Sequence, residues 1–204
     1  MKWVFPFDVP NPTDDPPEAV PWPREAVIEL SGPRLGEIAS GTPVRITGIA
    51  RPPDGGTQLI SPVEQRACIG YRLVVEEPGW SRVVDRGACA PFLLNSDGVD
   101  LLVRGPFSVR LSAPYKMDFG EDIQQRLTRA VDGQGSGNEN YRYFEAHVLS
   151  GMTIVVEGVA SVEVDPGGDR ATLRDAPIRR AVIASAGHPV LVSQPPEDFF
   201  KLGI

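Results

Sequence analysis

The hydrophobic pattern of this chain is organised around a ten-residue phrase that occurs twice. Residues 41–50 read GTPVRITGIA and residues 151–160 read GMTIVVEGVA, with both glycines and the final alanine in the same places. Apolar residues recur at short intervals in each copy: Val44, Ile46 and Ile49 in the first, Ile154, Val156 and Val159 in the second. Near-alternating apolar positions between glycines predict a half-buried, strongly bent strand. Gly48 and Gly158 stand where such a strand coils, bulges or takes a close backbone neighbour. A strand of this kind commonly opens a small antiparallel barrel, so the two copies predict two tandem β-units.

Strand patterns account for most of the remaining chain: EAVIELS at 25–31, CIGYRLVVEE at 68–77, VDLLVRG at 99–105 and SVRLSAP at 108–114. SRVVDRGACAPFLLN at 81–95 reads as two strands divided at Gly87, and Asn95-Ser96-Asp97-Gly98 as a tight turn. Asp54-Gly55-Gly56 carries the chemistry of a hairpin reversal. YRYFEAHVL at 141–149 sets Tyr141, Tyr143 and Glu145 on one face and Arg142, Phe144 and Ala146 on the other. RRAVIASA and PVLVSQ continue the strand pattern near the end of the chain.

Residues 118–132 change period. Ile123, Leu127, Ala130 and Val131 form one helical stripe, and Asp118 with Glu121 has the spacing of a capping box. The predicted architecture is mainly β: two tandem small antiparallel, OB-like barrel units with one intervening helix. Its parts are a proline-rich arm at 1–23, a first β-unit at 24–117, a helix and flexible connection at 118–140, and a second β-unit with the C-terminal tail at 141–204.

Composition sharpens this picture in a few places. The 204 residues suffice to bury roughly 70% of the unfolded surface. Gly and Pro number 21 each, an excess that suits a turn-rich β protein. No stretch approaches the roughly 20 apolar residues of a membrane span, and MKWVFPFDVPNP lacks the regions of a signal peptide. A soluble, cytoplasmic protein is the expectation. A net charge of −7 argues against nucleic acid and anionic membrane surfaces, which need clustered Lys and Arg. The densest basic spot, Arg170, Arg174, Arg179 and Arg180, is interleaved with Asp169 and Asp175.

Candidate chemistry is sparse. Cys68, Cys89, His147 and His188 contain no close metal-binding pair, and a Cys68–Cys89 disulfide requires an oxidising compartment. Buried free thiols are expected, with no metal and no other cofactor. Glu76-Glu77 and Asp85 offer carboxylates for acid–base work but read as a solvated strand end. His147 reads as a satisfied strand histidine and His188 as a turn residue without a neighbouring nucleophile. Gly133 to Gly137 follows a helix and lacks the Lys-Ser/Thr of a phosphate loop. No catalytic residues are expected.

The N-terminal arm is the more informative surface. Seven prolines in residues 1–23 favour an extended chain, and Trp3, Phe5, Phe7 and Trp22 give it apolar area suited to docking on its own body or on a partner.

From about 41 to 200 the sequence resembles the GIDE-type, or beside-a-membrane, domain of membrane-anchored RING ubiquitin ligases of organelles and of many bacterial proteins. The first matching signature is Ser61-Pro62 followed by Cys68, Tyr71-Arg72, Val74 and Glu76-Glu77, with Trp80 close behind. The second is Pro91-Phe92-Leu93-Leu94 running into Asp97-Gly98 and Val103. The third is Tyr143 and Glu145 before the segment from Gly151 to Gly158. The chain has no cysteine–histidine RING and no membrane span, so ligase activity does not carry over. The resemblance implies structural roles for the motif residues: Pro62 and Pro91 at strand starts, Tyr71 and Phe92 in the core, Asp97-Gly98 in a turn. It also implies a non-catalytic protein-interaction module, a subunit or adaptor in a larger assembly with a protein partner. The alternative is an OB-like binder of single-stranded nucleic acid or another oligomeric ligand.

Overall fold

The computed structural model describes residues 27–30, 39–79, 81–131, 141–164, 178–185 and 188–195. In chain order the strands are β1 (Ile28–Leu30), β2 (Pro43–Arg51), β3 (Leu59–Ile60), β4 (Ala67–Cys68), β5 (Gly70–Glu77), β6 (Ser81–Cys89), β7 (Phe92–Ser96), β8 (Val99–Arg104) and β9 (Phe107–Arg110). Helix α1 (Glu121–Val131) follows, then β10 (Arg142–Val148), β11 (Thr153–Val164), β12 (Ile178–Ile183) and β13 (Val190–Ser193).

The two copies of the repeated phrase become β2 and β11, and they pair with each other. Ile46 lies opposite Val156, its own equivalent in the repeat, so the antiparallel pair runs about a local two-fold centred there. The hydrogen bonds obey the same symmetry. Gly41 N–H donates to the Ala160 carbonyl at 2.9 Å and Gly151 N–H to the Ala50 carbonyl at 2.8 Å. Ala50 N–H donates to Met152 and Ala160 N–H to Thr42, both at 2.9 Å. Tight turns precede each strand, closed by Thr42 N–H on Ala39 and Met152 N–H on Leu149. Their third residues, Gly41 (φ 94°) and Gly151 (φ 85°), occupy the left-handed side of backbone space that glycine reaches cheaply. The first glycine and last alanine thus recur because each copy's glycine bonds the other copy's alanine.

The central glycines answer to close packing. A Cβ on Gly48 would lie 2.5 Å from the Asn95 carbonyl oxygen, and one on Gly158 would lie 2.6 Å from Val182 Cγ1. At Gly158 the outer edge of β11 changes neighbours, from β13 opposite 155–157 to β12 opposite 159–164. Of the three alternatives for these glycines, close approach is the one seen, by a backbone oxygen at Gly48 and first by a side chain at Gly158, with the Ile183 carbonyl oxygen at 3.0 Å.

β2, β7, β8, β12 and β11 pair in that order, and β11 returns to β2, closing a five-stranded barrel. Every pairing in it is antiparallel except β8 with β12. The mainly β expectation is correct, but the two copies of the phrase do not open separate barrels. They are neighbours in one barrel whose strands come from both sides of α1. The bent phrase strand needs a partner on its inner edge, and the other copy supplies it. β13 and β9 extend the sheet beyond β11, and β1 runs parallel to β2 at Val44–Ile46.

β10, β5 and β6 form a second, three-stranded sheet. Val74, Phe144 and Ala146 join the barrel core with Ile46, Phe92, Leu94 and Ile154. On its opposite face Leu73, Val75, Tyr141 and Tyr143 pack with Val63 and with Leu127 and Val131 of α1. The helical stripe is therefore read correctly, and Ile123 and Ala130 pack on the same cluster. The capping box does not form. Gly120 supplies the first helical acceptor, for Gln124 N–H at 3.1 Å, and the helix begins at Glu121.

Two further expectations need correction. The break in 81–95 falls at Ala90-Pro91, where proline lacks a ladder donor. β6 runs straight through Gly87, whose missing Cβ admits Val109 Cβ at 3.0 Å. Asp54-Gly55-Gly56 does form a turn, with Gly56 N–H on Pro53 at 2.8 Å, but β2 and β3 do not pair across it. Asp97 (φ 48°) and Gly98 (φ 83°) make the expected two-residue reversal between β7 and β8.

Candidate functional site

The strongest concentration of polar chemistry in the interior surrounds Glu145. Strand alternation on β10 turns Tyr143, Glu145 and His147 toward the side that faces α1 and the loop 61–66. The Glu145 side chain has 0% exposure, and a buried carboxylate is tolerable only if donors surround it. Four do. Val63 N–H donates to Oε1 at 3.0 Å, Glu64 N–H to Oε2 at 2.6 Å, and Ser61 Oγ–H to Oε2 at 2.8 Å. His147 Nε2 stands 3.5 Å from Oε2. Burial pushes the carboxyl pKa up, but the bonds from His147, Val63, Glu64 and Ser61 outweigh it and hold the group below its ordinary value.

Ser61 closes the loop on itself. Its oxygen accepts Arg66 N–H at 3.1 Å, and its own N–H donates to the Arg66 carbonyl at 3.0 Å. His147 Nε2 lies 3.0 Å from the same oxygen. A hydroxyl has one proton, which Ser61 gives to Glu145, so the hydrogen between His147 and Ser61 belongs to the imidazole. Gln65 takes the left-handed backbone at φ 56°, and its amide donates to the Ser61 and Pro62 carbonyls at 3.2 and 3.0 Å. Val63 is driven into the second core at 0% exposure. The arrangement is a clasp that ties the tip of the β3–β4 connection to β10.

Serine, histidine and a carboxylate here meet without the geometry of acyl transfer. The imidazole donates to the serine instead of accepting its proton, and both nucleophile and acid meet the same nitrogen. Ser61 is itself 0% exposed. A general base must face the hydroxyl proton it removes. His147 does not, and Glu145, which does, is held below its ordinary pKa by its donors and is a weak base. Glu64, Glu145 and His147 also bring potential ligand atoms within 4.8 Å of one another. A cation among them would face the N–H donors that already occupy Glu145, so the set fits a clasp better than a metal.

A second network lies on the opposite face of the small sheet. Glu76, expected at a solvated strand end, is 6% exposed. Tyr115 Oη–H donates to its Oε1 at 2.6 Å, and Arg142 Nε to its Oε2 at 2.7 Å. Burial raises the Glu76 pKa, but the Tyr115 and Arg142 bonds hold it below the ordinary value. Arg142 lies over the Tyr115 ring at 4.4 Å, and Tyr115 meets Phe144 edge-on at 5.2 Å. Asp85 is held bidentately by Arg72, both bonds 2.9 Å, and by Arg82 at 2.8 Å. Glu76 and Asp85 are therefore anchored in arginine pairs, not poised as an acid–base couple.

The other sequence-derived candidates divide between places that match expectation and places that do not. Phe92 is 0% exposed in the barrel core, and Pro91 directly precedes β7. Tyr71 packs partly buried against the second core, so it fills that core only in part. Pro62 sits in the clasp loop instead of at a strand start. Cys68 and Cys89 are free, and burial pushes their pKa values to about 11 and about 12. Thiols so suppressed are poor nucleophiles. Trp3, Phe5, Phe7, Trp22 and Trp80 lie outside the described residues.

Glu145 as the hub escaped sequence reasoning, although one signal was present. An acid placed between Tyr143 and His147 on the face of a strand that turns toward a helix demands donors from elsewhere. No helix among the described residues is long and apolar enough to cross a membrane. Comparison with family models, with curated proteins and with solved structures found no match.

Proposed function

We propose that this chain is a non-catalytic protein-interaction module of GIDE-type character, a cytoplasmic subunit or adaptor that engages a polypeptide partner. One observation carries the reading. The groups best equipped for chemistry, Ser61, His147 and Glu145, spend their hydrogen bonds on one another and on a loop backbone. Support for the GIDE-type resemblance comes from the same place. Ser61-Pro62 of the first signature and Glu145 of the third, 84 residues apart, belong to a single clasp. The aromatic arm residues Trp3, Phe5, Phe7 and Trp22 are the proposed partner-binding elements. Full-length chain used as bait is expected to retain one polypeptide in fixed stoichiometry, and removal of 1–23 to weaken that retention. Turnover of an ester, peptide or phosphoester substrate that Ser61→Ala abolishes would overturn the proposal.

A second reading is favoured by the barrel. Numbered within the barrel, its strands run 1-2-3-5-4 and return to 1, with strands 3 and 5 parallel, an order suited to an OB-like binder of single-stranded nucleic acid or another oligomer. The barrel arginines speak against phosphate. Arg45 is paired with Glu157, Arg51 with Asp100 and Arg104 with Glu163. A fluorescent oligothymidylate at low salt is expected to show no saturable binding.

A further inference from the structure

We propose that the outer edge of β6 takes on an extended, acidic segment of a partner polypeptide, whose carboxylate is met by Arg86 and Tyr71. This inference rests on the interaction-module reading and gives the partner its chemistry. Among the described residues β6 pairs with β5 alone, so its other edge presents a row of backbone donors and acceptors to an added strand. The start of that edge is protected. The register shifts between Val75 and Glu76 and leaves Val83 without an opposite residue, a bulge of the kind that blunts an edge. From Val84 to Cys89 the pairing is regular, against Val75 to Gly70, a length that suits one further strand.

The side chains beside that stretch select the partner. Arg86 lies opposite Leu73 and Tyr71 opposite Ala88, so Arg86 and Tyr71 are diagonal neighbours on one face. It is the face that carries Leu73 and Val84 into the second core, with Tyr71 packed at its margin. Arg86 and Tyr71 are both half-buried. The other arginines of this sheet are matched with acids: Arg72 and Arg82 with Asp85, Arg142 with Glu76. Arg86 is not. It makes no hydrogen bond or ion pair among the described residues, and its Nε is shielded from solvent without a partner. The Tyr71 hydroxyl has no hydrogen-bond partner there either. After burial, the Arg86 charge is the strongest influence on that hydroxyl, as the diagonal placement requires. Burial outweighs it and raises the Tyr71 pKa, so the phenol keeps its proton and remains a donor. Two unmatched donors, one of them charged, fit a carboxylate: the guanidinium offers a planar N–H fork and the phenol one further bond. Left unpaired, a half-buried cation is a standing cost to the fold, which a bound carboxylate removes. Glu145 does not fill this role, because Leu73 stands between it and Arg86 in register and its bonds go to the loop 61–66. The chain's net charge of −7 repels an acidic segment at a distance, so the attraction is local.

The test titrates capped Thr-Val-Glu-Val-Thr into the isotope-labelled full chain, beside counterparts with glutamine or lysine at the centre and one with proline for the second valine. The glutamate peptide is expected to shift the 84–89 amides saturably, with a Kd of about 1 mM or tighter. The glutamine peptide should bind at least about fivefold more weakly, and the proline peptide, which lacks a ladder donor, should lose most of its binding. Arg86→Gln should bring the glutamate peptide down to the level of the glutamine peptide, while the melting temperature holds or rises because an unpaired charge is gone. Tyr71→Phe should weaken the glutamate peptide and leave the glutamine peptide unchanged. Equal binding of the glutamine peptide, preference for the lysine peptide, shifts confined to other strands, or no saturable shift would overturn the inference. If a partner is retained equally well by the Arg86→Gln chain, this edge is wrong while the interaction reading stands. If full-length chain retains no partner at all, that reading falls and this inference with it.

Discussion

At the scale of single residues, the interior is governed by carboxylates that carry donors with them. Glu145 holds the loop 61–66 through two backbone N–H groups and a serine hydroxyl. Replacing it with Gln keeps the shape but removes the charge and presents an amide to those donors. Hydrogen bonds to charged groups contribute about 1.5–3 kcal/mol each, so Glu145→Gln should cost about 2–4 kcal/mol in denaturant unfolding near neutral pH. The pH dependence has a definite sign. The folded carboxyl titrates below its ordinary value, so its contribution is complete above the unfolded pKa of about 4.3 and is lost as pH falls through the folded value. Glu76 acts in the same direction. The Glu145→Gln chain should therefore show a shallower loss of stability between about pH 5 and pH 3 than the parent chain. Equal acid limbs would remove Glu145 from the account.

At the scale of elements, the glycines of the repeated phrase divide into two kinds, and substitutions separate them. Gly41→Ala and Gly151→Ala place a Cβ in open space but in a left-handed conformation, which costs about 1–2 kcal/mol. Gly48→Ala drives a Cβ to within 2.5 Å of a backbone oxygen, where neither strand can yield without breaking pairing, and should cost more than either turn substitution. Thermal melts of the three variants give the ranking, and a Gly48→Ala chain as stable as Gly41→Ala would contradict it. Local pattern carried much of this level. The strand character of both phrases, the faces of β10, the stripe of α1 and the Asp97-Gly98 turn were legible because each depends on neighbours within a few residues. Other features were not. Gly87 looks like a strand break in sequence, yet it exists to admit Val109 from β9. Asp118 has the spacing of a cap, yet the Lys116–Tyr143 backbone bridge holds the preceding chain against β10, and Gly120 takes the capping position.

At the scale of the whole molecule, the decisive fact is where partners lie. The repeat advertised duplication, and duplication suggested two units, because sequence records similarity between segments and not which of them touch. Here the copies touch each other, Ile46 against Val156, and the barrel closes only when strands from both sides of α1 are present. The clasp was hidden for the same reason: Ser61 and Glu145 are 84 positions apart. Cutting the chain within 132–140 tests this account most directly. Residues 1–135 keep β2, β7 and β8 but lose β11 and β12, and residues 136–204 keep only the latter two of the barrel strands. Neither piece should give a dispersed amide spectrum or a cooperative melt alone, and an equimolar mixture should restore the spectrum of the intact chain. If either piece alone reproduces its share of that spectrum, the two halves fold independently and the single shared barrel is wrong.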